Sequence, residues 1–351
     1  MIFELNDNKL ITNGFIELHC HLREPGFEYK EDIQSGMVSA KAGGYGIICP
    51  MPNTKPVCDN VETLEYILKR ANQVGEVKVL PVCAMTKGLN SDELVDFETL
   101  KNAGAIAFSN DGRPVENMET FEKVLLQGKK LGLVMMSHSE NTAFSPYDNR
   151  SEYTAVEREL KIVEKVGGQL HFCHISTKES LALIRNAKKK GLNVTCETAP
   201  HYFSLSKDDI FNQEARFKMN PPLRSKEDVL AVIEALQDGT IDCIATDHAP
   251  HSIDEKTKSF DNAPFGIVGF ETAFALSYTN LVKTGKLSLE KLLEKMITNP
   301  AKIIGVEPFG RIEIDLDKKW VVKACEFKTK AKITPFEDMC LYGKIERCEY
   351  V

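Results

Sequence analysis

The chain has 351 residues and a net charge of −7, with 42% hydrophobic and 27% charged residues. This composition indicates a globular protein of one large domain with a small addition, and the acidic balance argues against a nucleic-acid partner. No apolar run approaches the length of a membrane span, and the N-terminus lacks a signal peptide's basic start and apolar core. Ten irregularly spaced cysteines, with no Cys-x-x-Cys pair, predict reduced thiols in the cytoplasm.

Apolar runs of strand length alternate with amphipathic runs of helix length. Eight strands are predicted, at Gly14–His19, Tyr45–Pro50, Val77–Ala84, Ala105–Ser109, Leu133–Ser137, Gln169–Cys173, Asn193–Glu197 and Ile241–Thr246. Helices are predicted at Glu62–Gln73, Thr120–Lys130, Glu152–Val166, Lys178–Lys189 and Lys226–Leu236. This alternation favours an α/β fold, a (β/α)8 barrel. A doubly wound open sheet is the competing architecture, but no Gly-x-Gly-x-x-Gly follows the first strand to favour it.

Both ends of the chain differ from this pattern. The first twelve residues are strand-like, Gly310–Phe327 reads as short alternating strands, and Ile333–Val351 reads as loop and strand. We therefore predict a catalytic barrel over 13–305 and a small, shortened β subdomain from 1–12 plus 306–351. Because an isolated small sheet is marginally stable, we expect it to lean on the barrel or on another subunit.

Two histidines mark the end of the first predicted strand. Since side chains on a strand alternate, His19 and His21 point the same way, and two such imidazoles can bind one divalent metal. Arg23 places a fixed cation beside them. Taken alone, His-x-His is as compatible with a buried strand carrying two hydrogen-bonded histidines.

The ends of later strands are also polar. Strands two, four, five, six and eight run into Met-Pro-Asn-Thr (51–54), Ser-Asn-Asp-Gly (109–112), Ser-His-Ser-Glu (137–140), Cys-His-Ile-Ser-Thr (173–177) and Thr-Asp-His-Ala-Pro-His (246–251). Barrel active sites lie at this edge, so the pattern predicts a site built from several strand ends.

Longer motifs lie at the same places. They are His-Cys-His-Leu-Arg-Glu-Pro-Gly (19–26), Met-Pro-Asn-Thr (51–54), Cys-His-Ile-Ser-Thr-Lys-Glu-Ser (173–180), Lys-Met-Asn-Pro-Pro-Leu-Arg (218–224), Ala-Thr-Asp-His-Ala-Pro-His (245–251) and Ala-Pro-Phe-Gly-Ile-Val-Gly (263–269). Together they resemble dihydroorotase of the longer-chain bacterial type, within the amidohydrolase superfamily. The resemblance runs in order from about residue 14 to about 305.

The resemblance implies a zinc site whose ligands are His19, His21, Asp111, His138, His174 and Asp247. One or two Zn²⁺ ions are expected, with two favoured. His19, His21 and Asp247 would bind one zinc, and His138 and His174 a second. Asp111 would bridge them, where many relatives use a carboxylated lysine, and Asn110 is interpreted as a non-ligand. Imidazole and carboxylate suit zinc, although one or two of these histidines could instead satisfy neighbouring groups and leave a one-metal site.

The resemblance also implies substrate contacts. Arg23, Asn53 and His251 would hold the substrate carboxylate, a role that suits the planar guanidinium. Asn220, Phe265 and Gly266 would hold the ring, the last through its backbone. The alternatives are a salt bridge of Arg23 with Glu24 or another neighbour, and a turn role for Asn220 before Pro221.

Four further side chains are interpreted as supporting residues. His171 is predicted to be structural, and Cys20 to serve packing because it points away from the metals. His201 and His248 are predicted to orient metal ligands.

The implied activity is the reversible hydrolysis of (S)-dihydroorotate to N-carbamoyl-L-aspartate, the third step of de novo pyrimidine biosynthesis. A metal-activated hydroxide would attack the ring amide, with Asp247 as general base and then general acid. One alternative is a hydantoinase-, dihydropyrimidinase- or allantoinase-type amidohydrolase, which need not hold an α-carboxylate. The other is a non-catalytic partner of aspartate transcarbamoylase, which should have lost metal ligands.

Partners follow from the same resemblance. We expect a small-molecule substrate, no nucleic-acid or membrane partner, and a homodimer. The short β part and the trimmed segment between His138 and His174 could make activity depend on aspartate transcarbamoylase.

Overall fold

A computed structural model of the chain describes residues 2–212 and 214–350. Its strands are β1 (Phe3–Asn6), β2 (Lys9–Thr12), β3 (Phe15–Cys20), β4 (Tyr45–Pro50), β5 (Lys78–Val79), β6 (Val82–Cys83), β7 (Ala107–Ser109), β8 (Val134–Ser137), β9 (Gln169–Phe172), β10 (Val194–Thr198), β11 (Cys243–Ile244), β12 (Arg311–Val321) and β13 (Cys340–Glu349). Strands β3 to β11 pair in parallel in chain order, apart from a break between β5 and β6. Strands β1, β2, β12 and β13 form a separate antiparallel sheet.

Helices connect the barrel strands. They are α1 (Ile33–Ala42), α2 (Val61–Val74), α3 (Phe97–Ala103), α4 (Met118–Leu131), α5 (Asn149–Val166), α6 (Lys178–Lys189), α7 (Pro200–Ser204), α8 (Lys226–Asp238), α9 (Ile253–Lys256), α10 (Ala273–Ser277), α11 (Leu289–Leu293) and α12 (Asn299–Ile304). The (β/α)8 barrel with a small β appendage is confirmed. Ser225 forms a capping box with Asp228 at the start of α8, as the spacing predicts.

The third barrel strand is interrupted at Leu80-Pro81. Because proline has no N–H, it cannot donate to the ladder. The strand therefore divides into β5, which pairs with β4, and β6, which pairs with β7. Leu80 N–H still donates to the Ile48 carbonyl at 2.9 Å, and the Pro81 carbonyl accepts from Ile106 N–H at 3.1 Å. The two halves thus occupy one strand position in the barrel.

The barrel closes between β3 and the residues after β11. There Cys20 and His248 form one parallel bridge, and His21 N–H donates to the His248 carbonyl at 2.8 Å. The predicted strand Ile241–Thr246 is too long, since only Cys243–Ile244 has strand pairing.

Glu17 explains why the ladder is short. Its fully buried carboxyl group accepts the N–H of Thr246 at 3.0 Å and that of His19 at 2.9 Å. Burial raises the pKa of Glu17 to about 8, which avoids burying a full charge at pH 7. A side chain thus bonds both edges of the barrel where backbone pairing stops.

A packed apolar core fills the barrel. One buried cluster joins Ile16 of β3, Val82 of β6 and Val134 of β8, which belong to different sides of the cylinder. Such side chains meet only in the interior, so the barrel is filled, as is usual for this fold.

The β appendage packs against the barrel. Its order is β1-β2-β12-β13, and Leu10 and Ile312 belong to the same buried cluster as the barrel residues Phe15 and Tyr45. The predicted short strands after residue 310 are one long strand, β12, with irregular pairing. The division of domains at residues 12 and 305 stays a prediction, and its outermost residues, Met1 and Val351, lie outside the described residues. None of the described helices is long and apolar enough to cross a membrane.

Candidate active site

The six predicted metal ligands come together at the carboxyl ends of the barrel strands. Asp111, which follows β7, lies at the centre. Its Oδ1 is 3.2 Å from His19 Nε2, 3.4 Å from His138 Nδ1 and 3.6 Å from His174 Nε2. Its Oδ2 is 3.5 Å from His21 Nε2. A single carboxylate therefore faces all four imidazoles.

Two groups with metal-ligand spacing share this carboxylate. One contains His19, His21 and Asp111, and the other contains Asp111, His138 and His174. Asp247, which follows β11, adds its Oδ1 at 3.0 Å from His21 Nε2 and 3.6 Å from His19 Nε2. This arrangement suits a bridging role for Asp111, and the individual ligand assignments stay predictions.

Outer acceptors orient three of the imidazoles. His19 Nδ1 donates to Glu197 Oε1 at 2.9 Å, and His138 Nε2 donates to Glu140 Oε2 at 2.9 Å. His21 Nδ1 donates to Asn53 Oδ1 at 2.9 Å. In each ring the second nitrogen then faces Asp111, and an outer acceptor of this kind is how histidine ligands are commonly oriented at metal centres.

The donor set fits a divalent metal. His19 Nε2 is buried and has no hydrogen-bond partner among the described residues, which is costly unless a cation takes the lone pair. Nδ1 of His138 and Nε2 of His174 lie only 3.0 Å apart. Imidazole nitrogens and carboxylate oxygens are the ligands that zinc prefers.

The two central carboxylates are ionised. Burial alone would raise the pKa of Asp111, but His19, His138 and His174 outweigh it and hold the pKa well below its usual range. Burial likewise opposes ionisation of Asp247, and its hydrogen bond to His21 lowers the pKa.

Backbone strain coincides with the site. Arg23, His174 and Asp247 have φ values of 63°, 35° and 47°, in the left-handed region that is uncommon for such residues. Such conformations persist only where the surroundings impose them, and they concentrate at active sites. The fold therefore turns these three side chains away from the path of a regular strand.

A half-buried cation, Arg23, lies beside the cluster. The Arg23 Nε donates to the Pro250 carbonyl at 3.1 Å, and its Nη2 lies 3.4 Å from His251 Nε2. No carboxylate within residues 2–212 and 214–350 is within ion-pair distance of this guanidinium, so the predicted alternative of a salt bridge with Glu24 is not formed. Burial lowers the pKa of Arg23, and Asp247 and Asp111 oppose that shift.

His251 is held as a neutral ring. Its Nε2 donates to the Phe265 carbonyl at 2.8 Å, and its Nδ1 lies 3.2 Å from Lys30 Nζ. Burial, followed by the charges of Arg23 and Lys30, lowers the pKa of His251 to about 3. Lys30 Nζ also pairs with Glu255 Oε1 at 2.9 Å, so Arg23 is the cation here that has no carboxylate partner among the described residues.

The remaining predicted contacts are placed as follows. Asn53 Nδ2 donates to Asp111 Oδ2 at 3.1 Å, and Asn220 Nδ2 donates to Glu140 Oε2 at 3.2 Å. The ring of Phe265 lies 6.3 Å from that of Tyr147. Gly266 N–H donates to the Lys218 carbonyl at 3.0 Å. Their roles toward a substrate stay predictions.

The three histidines predicted to be supporting residues have the following contacts. His171 Nε2 donates to Glu197 Oε2 at 3.1 Å and therefore supports His19 from below. The His248 imidazole accepts the N–H of Gly269 at 3.2 Å. The backbone carbonyl of His248, and not its ring, accepts the N–H of His21. His201 Nε2 has no hydrogen-bond partner in the described part of the chain.

Two predicted non-ligands have other partners. Asn110 Oδ1 accepts the N–H of Met85, and Asn110 Nδ2 donates to the Thr86 hydroxyl. Cys20 is buried in the apolar core.

Sequence reasoning missed three residues, namely Glu140, Glu197 and Lys30. Glu140 follows His138 by two positions and Glu197 ends a predicted strand, so polarity at strand ends could have indicated both. Lys30 carried no local signal. Glu197 also belongs to two further groups with metal-ligand spacing, with His19 and Cys173 and with His171 and Cys243, but its hydrogen bonds to the histidines account for both groups.

Known proteins resemble the chain over nearly its whole length. A family model described as Dihydro-orotase-like matches residues 8–148. A dihydroorotase from Acetivibrio thermocellus is 42% identical over 365 residues, covering 97% of this chain and 85% of the relative. One from Desulforapulum autotrophicum is 44% identical over 360 residues, covering 96% and 84%. The chain belongs to the dihydroorotase family.

Solved structures show the same fold. An L-hydantoinase from Arthrobacter aurescens superposes with a TM-score of 0.89 at 25% identity, covering 97% of this chain and 84% of that one. A D-hydantoinase from Thermus sp. superposes with a TM-score of 0.85 at 21% identity, covering 98% and 84%. The chain thus shares its barrel fold with hydantoinases, to which it is 21% and 25% identical. Its sequence is more than 40% identical to the two dihydroorotases. Membership of this family confirms the predicted enzyme class, a hydrolase of cyclic amides, and the His/Asp clusters indicate a bound metal.

Glu197 should control metal affinity without being a ligand. We expect Glu197→Ala to weaken zinc binding about 10–100-fold, because His19 loses the acceptor that orients it. Competition with a chromophoric chelator measures this affinity. Glu164→Ala, at an exposed carboxylate on α5, is the control and should leave it unchanged. Equal affinities for both variants would contradict the assigned role.

Proposed function

We propose that the chain catalyses the reversible hydrolysis of (S)-dihydroorotate to N-carbamoyl-L-aspartate. One observation carries the proposal: the half-buried Arg23 guanidinium, without a carboxylate partner among the described residues, lies beside a cluster of four histidines and two aspartates. A cluster of histidines and aspartates that can hold metal ions is suited to hydrolysing an amide. The Arg23 guanidinium, which has no carboxylate partner among the described residues, can bind the carboxylate of the substrate.

Two zinc ions are the cofactor that we infer for this site. One ion would be held by His19, His21 and Asp247. The other would be held by His138 and His174, and Asp111 would contribute to both sites. When bound, such a pair lowers the pKa of water and polarises a carbonyl. The shared position of Asp111 between both groups favours two ions over one.

Asp247 is the proposed proton carrier. Its carboxylate is ionised and lies at the strained end of β11, next to His21. It would accept a proton from the attacking water as oxygen bonds to the ring carbonyl carbon. It would then deliver that proton to the ring nitrogen as the C–N bond breaks. The products are a carboxylate and a ureido group on one chain, and the second proton of the water leaves to solvent as the new carboxyl group ionises.

Arg23, His251 and Asn53 are the proposed contacts of the substrate carboxylate. Arg23 provides a fixed charge, and neutral His251 provides an N–H that it shares with the Phe265 carbonyl. Asn53 already bonds His21 and Asp111, so it would link carboxylate recognition to the metal cluster. Asn220, Phe265 and Gly266 are the proposed ring contacts.

Turnover should depend on Asp247. We expect Asp247→Asn to lower kcat for dihydroorotate by about 10²–10⁴-fold, the usual contribution of general acid–base catalysis. We would measure kcat for dihydroorotate hydrolysis with the zinc-supplemented wild-type and variant chains. The zinc content of each chain would be determined in parallel. Near-normal turnover by this variant would overturn the assignment.

Arg23 should distinguish dihydroorotate from carboxylate-free cyclic amides. We expect Arg23→Met to raise KM for dihydroorotate about 10–100-fold, as expected for losing charge-assisted hydrogen bonds, and to leave dihydrouracil and hydantoin poor substrates. The control is Arg113→Met, at an exposed arginine on the same face. A wild-type preference for hydantoin, dihydrouracil or allantoin would instead place the chain with the other cyclic amidohydrolases.

The oligomer and the partner are also proposals. We propose a homodimer whose activity rises when aspartate transcarbamoylase is added, because the β appendage is small and a small sheet is only marginally stable without further packing. Light scattering gives the oligomeric state, and turnover of the isolated chain compared with the mixture tests the partner. Full activity of the isolated chain, unchanged in the mixture, would exclude partner dependence.

A further inference from the structure

Two buried lysines lie behind the loop that follows β11. Lys256 ends the short helix α9, and Lys218 precedes the segment that carries Asn220. Only 7% of Lys256 and 6% of Lys218 is exposed, although lysines are almost never fully buried without a partner. A structural reason is therefore needed for both.

Lys256 bonds three backbone carbonyls. Its Nζ donates to Gly266 at 2.8 Å, to Lys218 at 3.0 Å and to Pro264 at 3.2 Å. The three acceptors use all three donors of an ammonium group. Lys256 therefore joins its own loop, at Pro264 and Gly266, to the separate segment at Lys218.

Lys218 bonds the loop in return. Its Nζ donates to the carbonyls of Phe260 at 2.6 Å and Asp261 at 3.0 Å, and its own carbonyl accepts the N–H of Gly266 at 3.0 Å. The loop over 252–266 is thus held along its length by side chain-to-backbone bonds.

These bonds offset a real cost. No carboxylate in the described part of the chain lies within ion-pair distance of either ammonium, and burying an unpaired charge is expensive. Burial, followed by the neighbouring Lys218, lowers the pKa of Lys256 to about 7. Apolar packing alone would be better served by methionine or leucine, so directional hydrogen bonding is what a lysine adds here.

The held backbone surrounds the expected substrate contacts. Phe265 lies between two residues that Lys256 bonds, and its carbonyl accepts from His251 at 2.8 Å. Gly266 has φ of 136°, and a Cβ there would lie 2.6 Å from the Ala249 carbonyl oxygen. The turn at 264–266 therefore packs tightly against the segment that leads from Asp247 to His251.

We propose that Lys256 is a positioning residue, whose three hydrogen bonds hold Phe265 and His251 in the arrangement that receives the substrate. This inference rests on the proposed function, since it assigns those two residues to substrate binding. The bonds of Lys256 go to the carbonyls of Lys218, Pro264 and Gly266 and not to the proposed metal ligands. Its loss should weaken binding more than it slows the chemical step.

The test compares Lys256→Met with Lys258→Met. Methionine keeps the length of Lys256 but removes its donors, and Lys258 is an exposed lysine of the same loop. We expect Lys256→Met to raise KM for dihydroorotate at least about tenfold with kcat changed less than about threefold. Hydrogen exchange of amides in 252–266, measured without substrate, should accelerate about tenfold or more. Lys258→Met should change neither quantity.

The two readouts separate the possible failures. Unchanged exchange in Lys256→Met, or faster exchange with an unchanged KM, overturns the positioning role. If the wild-type chain does not turn over dihydroorotate, the proposed function fails. In that case unchanged hydrogen exchange in Lys256→Met would still refute the positioning role of Lys256. Should Lys256→Met lose its fold by circular dichroism, Lys256→Gln, whose shorter neutral side chain cannot supply the three ammonium donors, takes its place with the same expected results.

Discussion

Where β3 meets the residues after β11, one parallel bridge between Cys20 and His248 joins the two edges of the barrel in the described part of the chain. It includes the hydrogen bond from His21 N–H to the His248 carbonyl. The buried carboxyl group of Glu17 bonds both edges just below this bridge. This closure brings His19 and His21 beside Asp247, more than two hundred positions later in the chain. Without it the two histidines and the aspartate would lie on separate edges of an open sheet. The catalytic proposal depends on this seam more than on any single ligand.

The site separates charge over a short distance. Asp111 and Asp247 are surrounded by imidazoles on one side. On the other side Arg23 lies beside His251, and the charge of the neighbouring Lys30 is paired with Glu255. The chain as a whole is acidic, so an anionic substrate is attracted by local charge and not by the overall field. Burial strengthens these local interactions because the surrounding dielectric is low. Fixed donors beside a metal-type cluster suit a substrate with both an amide and a carboxylate.

Much of the fold was predictable because its local signals agree. The period of apolar residues and the cap at Thr177 place α6 at the predicted bounds. Errors arose where long-range contacts override local preference. The strand at 241–246 looks long by its apolar run, yet it stops early because Glu17 takes the N–H of Thr246. The strand at 77–84 is a different case, because it divides at Pro81 and the missing N–H of proline is a local signal that is visible in the sequence.

The sequence by itself determined the chemistry: which imidazoles, carboxylates and cations stand at strand ends, and the family to which such motifs belong. Only the tertiary structure decided which atoms meet. The bond from His19 to Glu197 spans 178 positions, and the contacts of Lys256 cross from one loop to another. Such partners depend on how the barrel closes and how its loops pack. Alternation and spacing describe one element at a time, so they cannot specify distances between elements that are remote in the chain.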